Sequence, residues 1–494
     1  MKSILKYSAL EMAEKIKSRE VTPIELVEAH IERILEVNLH LNAVAEDLFS
    51  EARQTAKEQT LFLNENPTAE LPPFFGVPMT VKEMLAYKGK KRTAGHFHHQ
   101  YDIKDDHATI VERMIEAGAI PLCTTNVPEL GFWFETNNVI YGRTNNPYDL
   151  TRTPGGSSGG EAALIGAGAS PMGLGSDIGG SIRMPAAFCG IFGHKPTEKI
   201  IPFTGHFPHE KNDFQEKLRG EKYPWTASGP MAKSASDLYA MMKVLVGSDD
   251  IDLETKKAFD LKPMISEFKE IQFYILSSPI FENTAKTDAD VQLSIEQIAD
   301  DLRAKKLKVK TLPQDIFKEA TKSWFAAVEK SSYTKYEENL NNVNEKYNPY
   351  FELAKTFISK SKYTVPSIVL TILDRWNLGG KENSKEYYLK KHEFYREQIQ
   401  TLLGENAILL CPAHPRVAPK HNGPIFRPFD FMYTAFFTTM GTPATVAPIG
   451  FDSDYLPLSL QIVAGRGQDH LTLSFAKYIE ENYGGWVPPR TQFQ

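Results

Sequence analysis

Three serines and the glycines around them are the residues in this chain whose types and spacing most plainly allow chemistry. Residues 151–197, TRTPGGSSGGEAALIGAGASPMGLGSDIGGSIRMPAAFCGIFGHKPT, concentrate Gly, Ser and Ala beyond what an ordinary helix or strand tolerates cheaply. Such a backbone serves close approach, either by a neighbouring element or by a substrate. Ser157 and Ser158 sit between Gly155-Gly156 and Gly159-Gly160, so their hydroxyls ride on backbone free to take conformations closed to other residues. Gly179-Gly180 leads into Ser181 at the start of a short helix expected over SIRMPAAF. There the N–H groups of Ile178, Gly179, Gly180 and Ser181 can converge on a developing negative oxygen, aided by the helix dipole. Asp177 and Arg183 flank the turn as an opposite-charge pair suited to hold it rigid. The pattern points to a nucleophilic serine beside an oxyanion hole. Residues 155–159 also fit G-x-S-x-G, the nucleophile elbow of an α/β-hydrolase-like esterase. That would make Ser157 the nucleophile, with His414 or His470 as base, although Thr153-Pro154 breaks the strand an elbow requires.

The elements that must position these serines alternate in type. Two helices open the chain, each announced by a capping box, Ser8 with Glu11 and Thr22 with Glu25, where Pro23 takes the first helical position. The segment PPFFGVPMTVKEML reads as an apolar strand running into Lys82, residues 106–117 as a helix stopped by Gly118, and AIPLCT as a short buried strand. In the C-terminal half the strands are IQFYIL, LKVKTL, AILLCPA, TPATVAP and LSLQIVAG, with helices over 288–304, 385–403 and 470–481. Strands separated by helices imply an α/β fold with a large mixed central β-sheet covered on both faces. The 494 residues show no repeat, linker or abrupt charge change, so a single domain over 1–494 is expected, its catalytic core at about 76–197.

Composition narrows the function classes. A net charge of -6 leaves no broad basic face, which argues against a nucleic-acid partner. Three scattered cysteines suit neither a disulfide framework nor a zinc site. The first residues hold no apolar block of signal-peptide length, and no run approaches the roughly 18 apolar residues of a membrane span. A cytoplasmic enzyme is expected.

With these residues in view, the chain resembles the amidase signature family. Its hallmarks are the GGSSGG block at residues 155–160, the D-x-G-G-S block at 177–181, and a lysine ending a G-x-P-x-x-x-K strand, here Gly76 to Lys82. Glu83 stands where many members have Asp. The resemblance is densest from Gly76 to Thr197 and extends from Ser8 to the DHLTL element near the C-terminus. It implies Ser181 as nucleophile, Ser157 as a relay serine behind a cis peptide bond, and Lys82 as base. The oxyanion amides would be those of Ile178, Gly179, Gly180 and Ser181, with Ser158, Asp177 and Arg183 in support. A lysine acts as base only when neutral, and burial lowers a lysine pKa by up to roughly 3 to 5 units, which the apolar approach VPMTV suits. No cofactor or metal is implied.

Within the family the chain is most similar to the fatty-acid amide hydrolases, through residues 140–149, 176–185, 190–196 and 412–421. That branch implies a small lipid-like amide as substrate, an N-acylethanolamine or primary fatty amide, with small or aryl amides and esters as the alternative. The aromatic runs GFWFETNN and RPFDFMYTAFF hold Phe132, Trp133, Phe134, Phe429, Phe431, Tyr433, Phe436 and Phe437, suited to wall an acyl tunnel or to fill a core. Phe132 and Phe134, close to the signature, are the expected substrate contacts. The segment FISKSKYTVPSIVLTILDRW at 357–376 suits a core, a homodimer surface or a peripheral membrane contact. Residues 173–178 begin like G-x-G-x-x-G but end in Ile, so a dinucleotide loop is not expected. His96, His98 and His99 read as an exposed loop, and His194 as structural.

Overall fold

The structure, a computed structural model, describes residues 2–494 apart from 209–224, 257, 332–336, 338–339, 341–346, 357, 359, 376–381, 492 and 494. Both capping boxes form. Ser8 Oγ accepts from Glu11 N at 3.1 Å while the Glu11 carboxylate takes the Ser8 N–H at 2.7 Å, starting the helix Ala9–Lys17. Thr22 and Glu25 repeat the exchange ahead of Pro23–Leu41.

Eleven strands make one sheet: β1 (Val44–Asp47), β2 (Pro78–Lys82), β3 (Ile120–Thr125), β4 (Met172–Asp177), β5 (Phe192–Lys195), β6 (Ala227–Ala232), β7 (Gln272–Ile275), β8 (Lys308–Thr311), β9 (Ala407–Cys411), β10 (Ala444–Phe451) and β11 (Pro457–Ala464). Their spatial order is β1-β3-β2-β4-β6-β5-β10-β11-β9-β7-β8. Pairing is parallel around β2 and around β7 and antiparallel between, so the sheet is mixed as expected. Both faces are covered. Ile408 and Leu410 of β9 join the cluster under Ala235–Leu245 and Asp469–Tyr483, whereas Leu409 and Cys411 join the one under Met432–Thr439, as the two-residue period of a strand requires. Every strand expected from the sequence is present, and the helices over 288–304, 385–403 and 470–481 appear as Ala289–Ala304, Glu382–Leu403 and Asp469–Tyr483.

The topology brings the chemistry together. β2 and β4 are parallel neighbours, with Thr80 opposite Gly173 and Val81 opposite Leu174, so Lys82 and Asp177 leave the sheet at the same carboxyl edge. Ligands bind at such edges in open α/β sheets. The loop carrying Ser157 turns there into the helix Gly159–Gly166. The expected helix over SIRMPAAF is shorter, Arg183–Phe188, and leaves Ser181 in the turn before it. Of the 357–376 segment, Phe357, Ser359 and Trp376 lie outside the described residues; the rest includes the helix Val365–Arg375. No helix among the described residues is long and apolar enough to cross a membrane.

Candidate active site

Lys82 ends β2 fully buried, and its Nζ makes three contacts: Ser157 Oγ at 2.7 Å, Ser176 Oγ at 2.9 Å and the Ser176 carbonyl at 3.4 Å. Burial pulls its pKa down to about 7, although the carboxylates of Asp177, Glu161 and Glu83 oppose the shift. Two of those carboxyls are themselves pushed up by burial, Glu83 to about 7 and Glu161 to about 8. Glu161 is gripped by the hydroxyls of Thr80 and Thr125, and Glu83 by the amides of Thr93 and Ala94. The buried carboxylates are therefore hydrogen-bonded rather than paired with Lys82.

Ser157 follows a cis Gly156–Ser157 peptide bond. Its hydroxyl and that of Ser181 line one pocket. No hydrogen bond joins Ser157 Oγ to Ser181 Oγ among the described residues; catalytic hydrogen bonds in unliganded enzymes are often long and tighten when substrate binds. Ser158 supports both ends of the site: its N–H donates to the Ser181 carbonyl at 3.1 Å, and its Oγ meets the Ser176 backbone at 3.4 Å.

The turn before Ser181 is fixed by Asp177. Both its oxygens take Arg183, at 2.9 Å each, and Oδ1 accepts from Gly180 N at 2.8 Å while Oδ2 accepts from Ile182 N at 3.2 Å. Burial alone would raise the Asp177 carboxyl, but the Arg183 charge and these bonds hold it down at about 2. Arg183 continues to Thr438 Oγ1, Gln461 and the Thr434 carbonyl, so the turn is anchored to β11 and to Met432–Thr439. The Gly180 amide, expected in the oxyanion hole, is thus spent on Asp177. Its φ is +114°, and a Cβ there would lie 1.9 Å from Thr434 Oγ1, so only glycine fits. Outside the sheet ladder nothing among the described residues accepts from the amides of Ile178, Gly179 and Ser181.

The other expected residues divide. Phe132 lines the cavity with Met84, Leu130, Phe203 and Phe207. Phe134 does not; it is buried against Trp133 and Phe431, their ring centroids at 4.8 and 6.1 Å. Tyr433, Phe436 and Phe437 are core. His96 is buried rather than exposed, its Nδ1 3.0 Å from Glu129 and its ring packed against His98 and His99. His194 is buried between Thr445 and Asp469, a structural place. His414 packs on Phe188 and bonds the Arg416 carbonyl, and His470 lies at the start of Asp469–Tyr483. The partner of Ser157 is thus a lysine and not a histidine, against the elbow arrangement. Sequence reasoning missed Ser176 and His206, which face the same cavity; His206 Nε2 lies 2.6 Å from Ser176 Oγ.

The Amidase family profile matches residues 25–473. Fatty-acid amide hydrolase 2-B of Danio rerio is 38% identical over 509 residues, covering 98% of this chain and 91% of the relative. Fatty-acid amide hydrolase 2 of Homo sapiens is 36% identical over 506 residues, with the same coverage, 98% and 91%. The solved structure of a fatty acid amide hydrolase superposes with a TM-score of 0.78 at 22% identity, covering 98% of this chain and 86% of the other, a likeness of fold.

Proposed function

This chain belongs to the amidase signature family and is an amide hydrolase, and on that premise we propose that it cleaves fatty-acid amides or N-acylethanolamines through an acyl-enzyme at Ser181, with Ser157 as relay and Lys82 as base. The observation that carries this reading is the 2.7 Å contact of a buried lysine amine, its pKa brought down to about 7, with a serine hydroxyl in the cavity that also holds Ser181. About half of such an amine is neutral at pH 7, as a base must be.

The steps follow from the positions. Lys82 takes the Ser157 proton as Ser157 takes that of Ser181, and Ser181 Oγ attacks the amide carbonyl. The oxygen gains negative charge against the N–H groups of Ile178, Gly179 and Ser181, donors already in place before reaction. Return of the proton through Ser157 reaches the amide nitrogen as the C–N bond breaks, which an amine leaving group requires. Water then enters and gives a proton to the same relay as its oxygen attacks the acyl carbon; that proton returns to Ser181 Oγ as the acyl–oxygen bond breaks and the acid leaves.

The lipid part of the reading is supported by the apolar lining of Met84, Leu130, Phe132, Phe203 and Phe207 and by the two named relatives. Tyr350, Phe351 and Ile358 are more than half exposed, and peripheral contact through them would bring the site to lipid-borne substrate. One domain over 1–494 is supported by the eleven-stranded sheet, which draws strands from both halves of the chain. Hydrolysis of a panel from acetamide to oleamide, with one anilide and free glutamine, tests the substrate class. A steep rise with chain length is expected; preference for the anilide or for glutamine would overturn the lipid assignment.

A further inference from the structure

Lys82 Nζ has three hydrogen-bond contacts, and a neutral amine has two hydrogens and one lone pair to place among them. The Ser176 carbonyl only accepts, so it takes one hydrogen. The two remaining contacts, Ser157 Oγ and Ser176 Oγ, are both hydroxyls, and either can donate to the lone pair. The base works only when Ser157 wins. What settles the contest lies on the far side of Ser176.

His206 Nδ1 lies 2.5 Å from the Phe207 carbonyl, which only accepts, so Nδ1 carries the ring proton. In the neutral ring Nε2 is then an acceptor, and it lies 2.6 Å from Ser176 Oγ. The Ser176 hydroxyl proton is drawn to it, leaving the oxygen to accept from Lys82. Packing fixes the ring in this orientation. It stacks on Phe203 with centroids 4.1 Å apart, its backbone bridges to Leu85, and Arg92 grips the carbonyl of Gly205 just before it. His206 is 3% exposed.

Resting on the Ser-Ser-Lys reading above, we infer that His206 is a positioning residue for the relay: its Nε2 holds the Ser176 hydroxyl proton, so that the lone pair of Lys82 is left for Ser157. The effect passes through Ser176 and touches no substrate atom. Without the acceptor, the Ser176 hydroxyl turns to the Lys82 lone pair and competes with Ser157.

The test is a double-mutant cycle on oleamide hydrolysis at pH 9. His206→Phe keeps a ring against Phe203 but offers no acceptor; kcat falls roughly 10- to 100-fold, the lower part of the range for a positioned proton-transfer group, with KM within about threefold. His206→Gln supplies an acceptor oxygen and recovers kcat to within about fivefold of wild type. In the Ser176→Ala background, where the competing hydroxyl is gone, His206→Phe costs less than about threefold more. Thermal melting checks the fold, and His206→Leu replaces the Phe variant should that not fold. Losses that multiply in the double variant, a loss confined to KM, or no loss in His206→Phe would overturn the inference. Those results would appear with wild-type hydrolysis and its dependence on Lys82 intact; failure of the Ser-Ser-Lys reading would instead appear as Lys82→Ala retaining activity.

Discussion

If Lys82 is the base, as proposed, the acid side of the pH–rate profile reports its ionisation. An ordinary lysine amine, with a pKa of 10.5, is neutral in only about one molecule in three thousand at pH 7. Brought down to about 7 by burial, the Lys82 amine is neutral in about half. Burial thus raises the population of working base roughly a thousand-fold at neutral pH. The sign follows: protonation removes the base, so kcat/KM is full above pH 8 and falls on acidification through pH 7. Below that it loses about tenfold per unit, reaching about 1% of the plateau at pH 5. The assay is release of oleic acid from oleamide at substrate far below KM, from pH 5 to 9.5, since kcat/KM reports ionisations of the free enzyme. Melting at each pH separates loss of base from loss of fold. A profile flat to pH 5, or one still climbing tenfold per unit past pH 9, would refute the claim that burial arms Lys82.

Lys82→Ala should lower amide hydrolysis by about 10²- to 10⁴-fold across this range while circular dichroism stays native; full activity at pH 7 would remove Lys82 from the mechanism. Asp177→Asn leaves the buried Arg183 guanidinium without its charge partner, and should cost about 3 to 5 kcal/mol in urea unfolding at pH 7. Because folding lowers the Asp177 carboxyl from 3.8 to about 2, its contribution is present above pH 4. As pH falls from 4 toward 2 it is lost, about 2 kcal/mol in all, so the gap between wild type and Asp177→Asn should narrow over that window. Gly180→Ala meets both a positive φ and Thr434 Oγ1, and should cost at least about 2 kcal/mol along with most activity, read by melting temperature and oleamide turnover.

What the sequence disclosed follows from how local each signal is. Capping at Ser8 and Thr22 depends on residues three apart, and strands such as AILLC carry their burial in their own composition. That Lys82, Ser157 and Ser181 come together is legible in the sequence, because the glycine blocks around the serines mark a backbone built for close approach and the family resemblance joins them to a distant lysine. His206 left no trace. Its role depends on a contact with Ser176, thirty residues away, and GHFP has no periodicity or spacing to announce it. The run of consecutive N–H groups at 178–181 does not reveal that Asp177, three residues before Gly180, folds back to accept from its amide. His96 looked like loop, but Glu129 and its neighbouring rings draw it inside. Phe132 and Phe134, two apart in sequence, point to different surroundings, and only the first faces the cavity.

A fluorophosphonate carrying a long alkyl chain, reacted with the intact protein and located by peptide mass spectrometry, tests the assignment of nucleophile and base together. A single adduct on Ser181 is expected, formed at least about a hundredfold more slowly in Lys82→Ala. An adduct on Ser157, or one on Ser181 that forms at the same rate without Lys82, would contradict it.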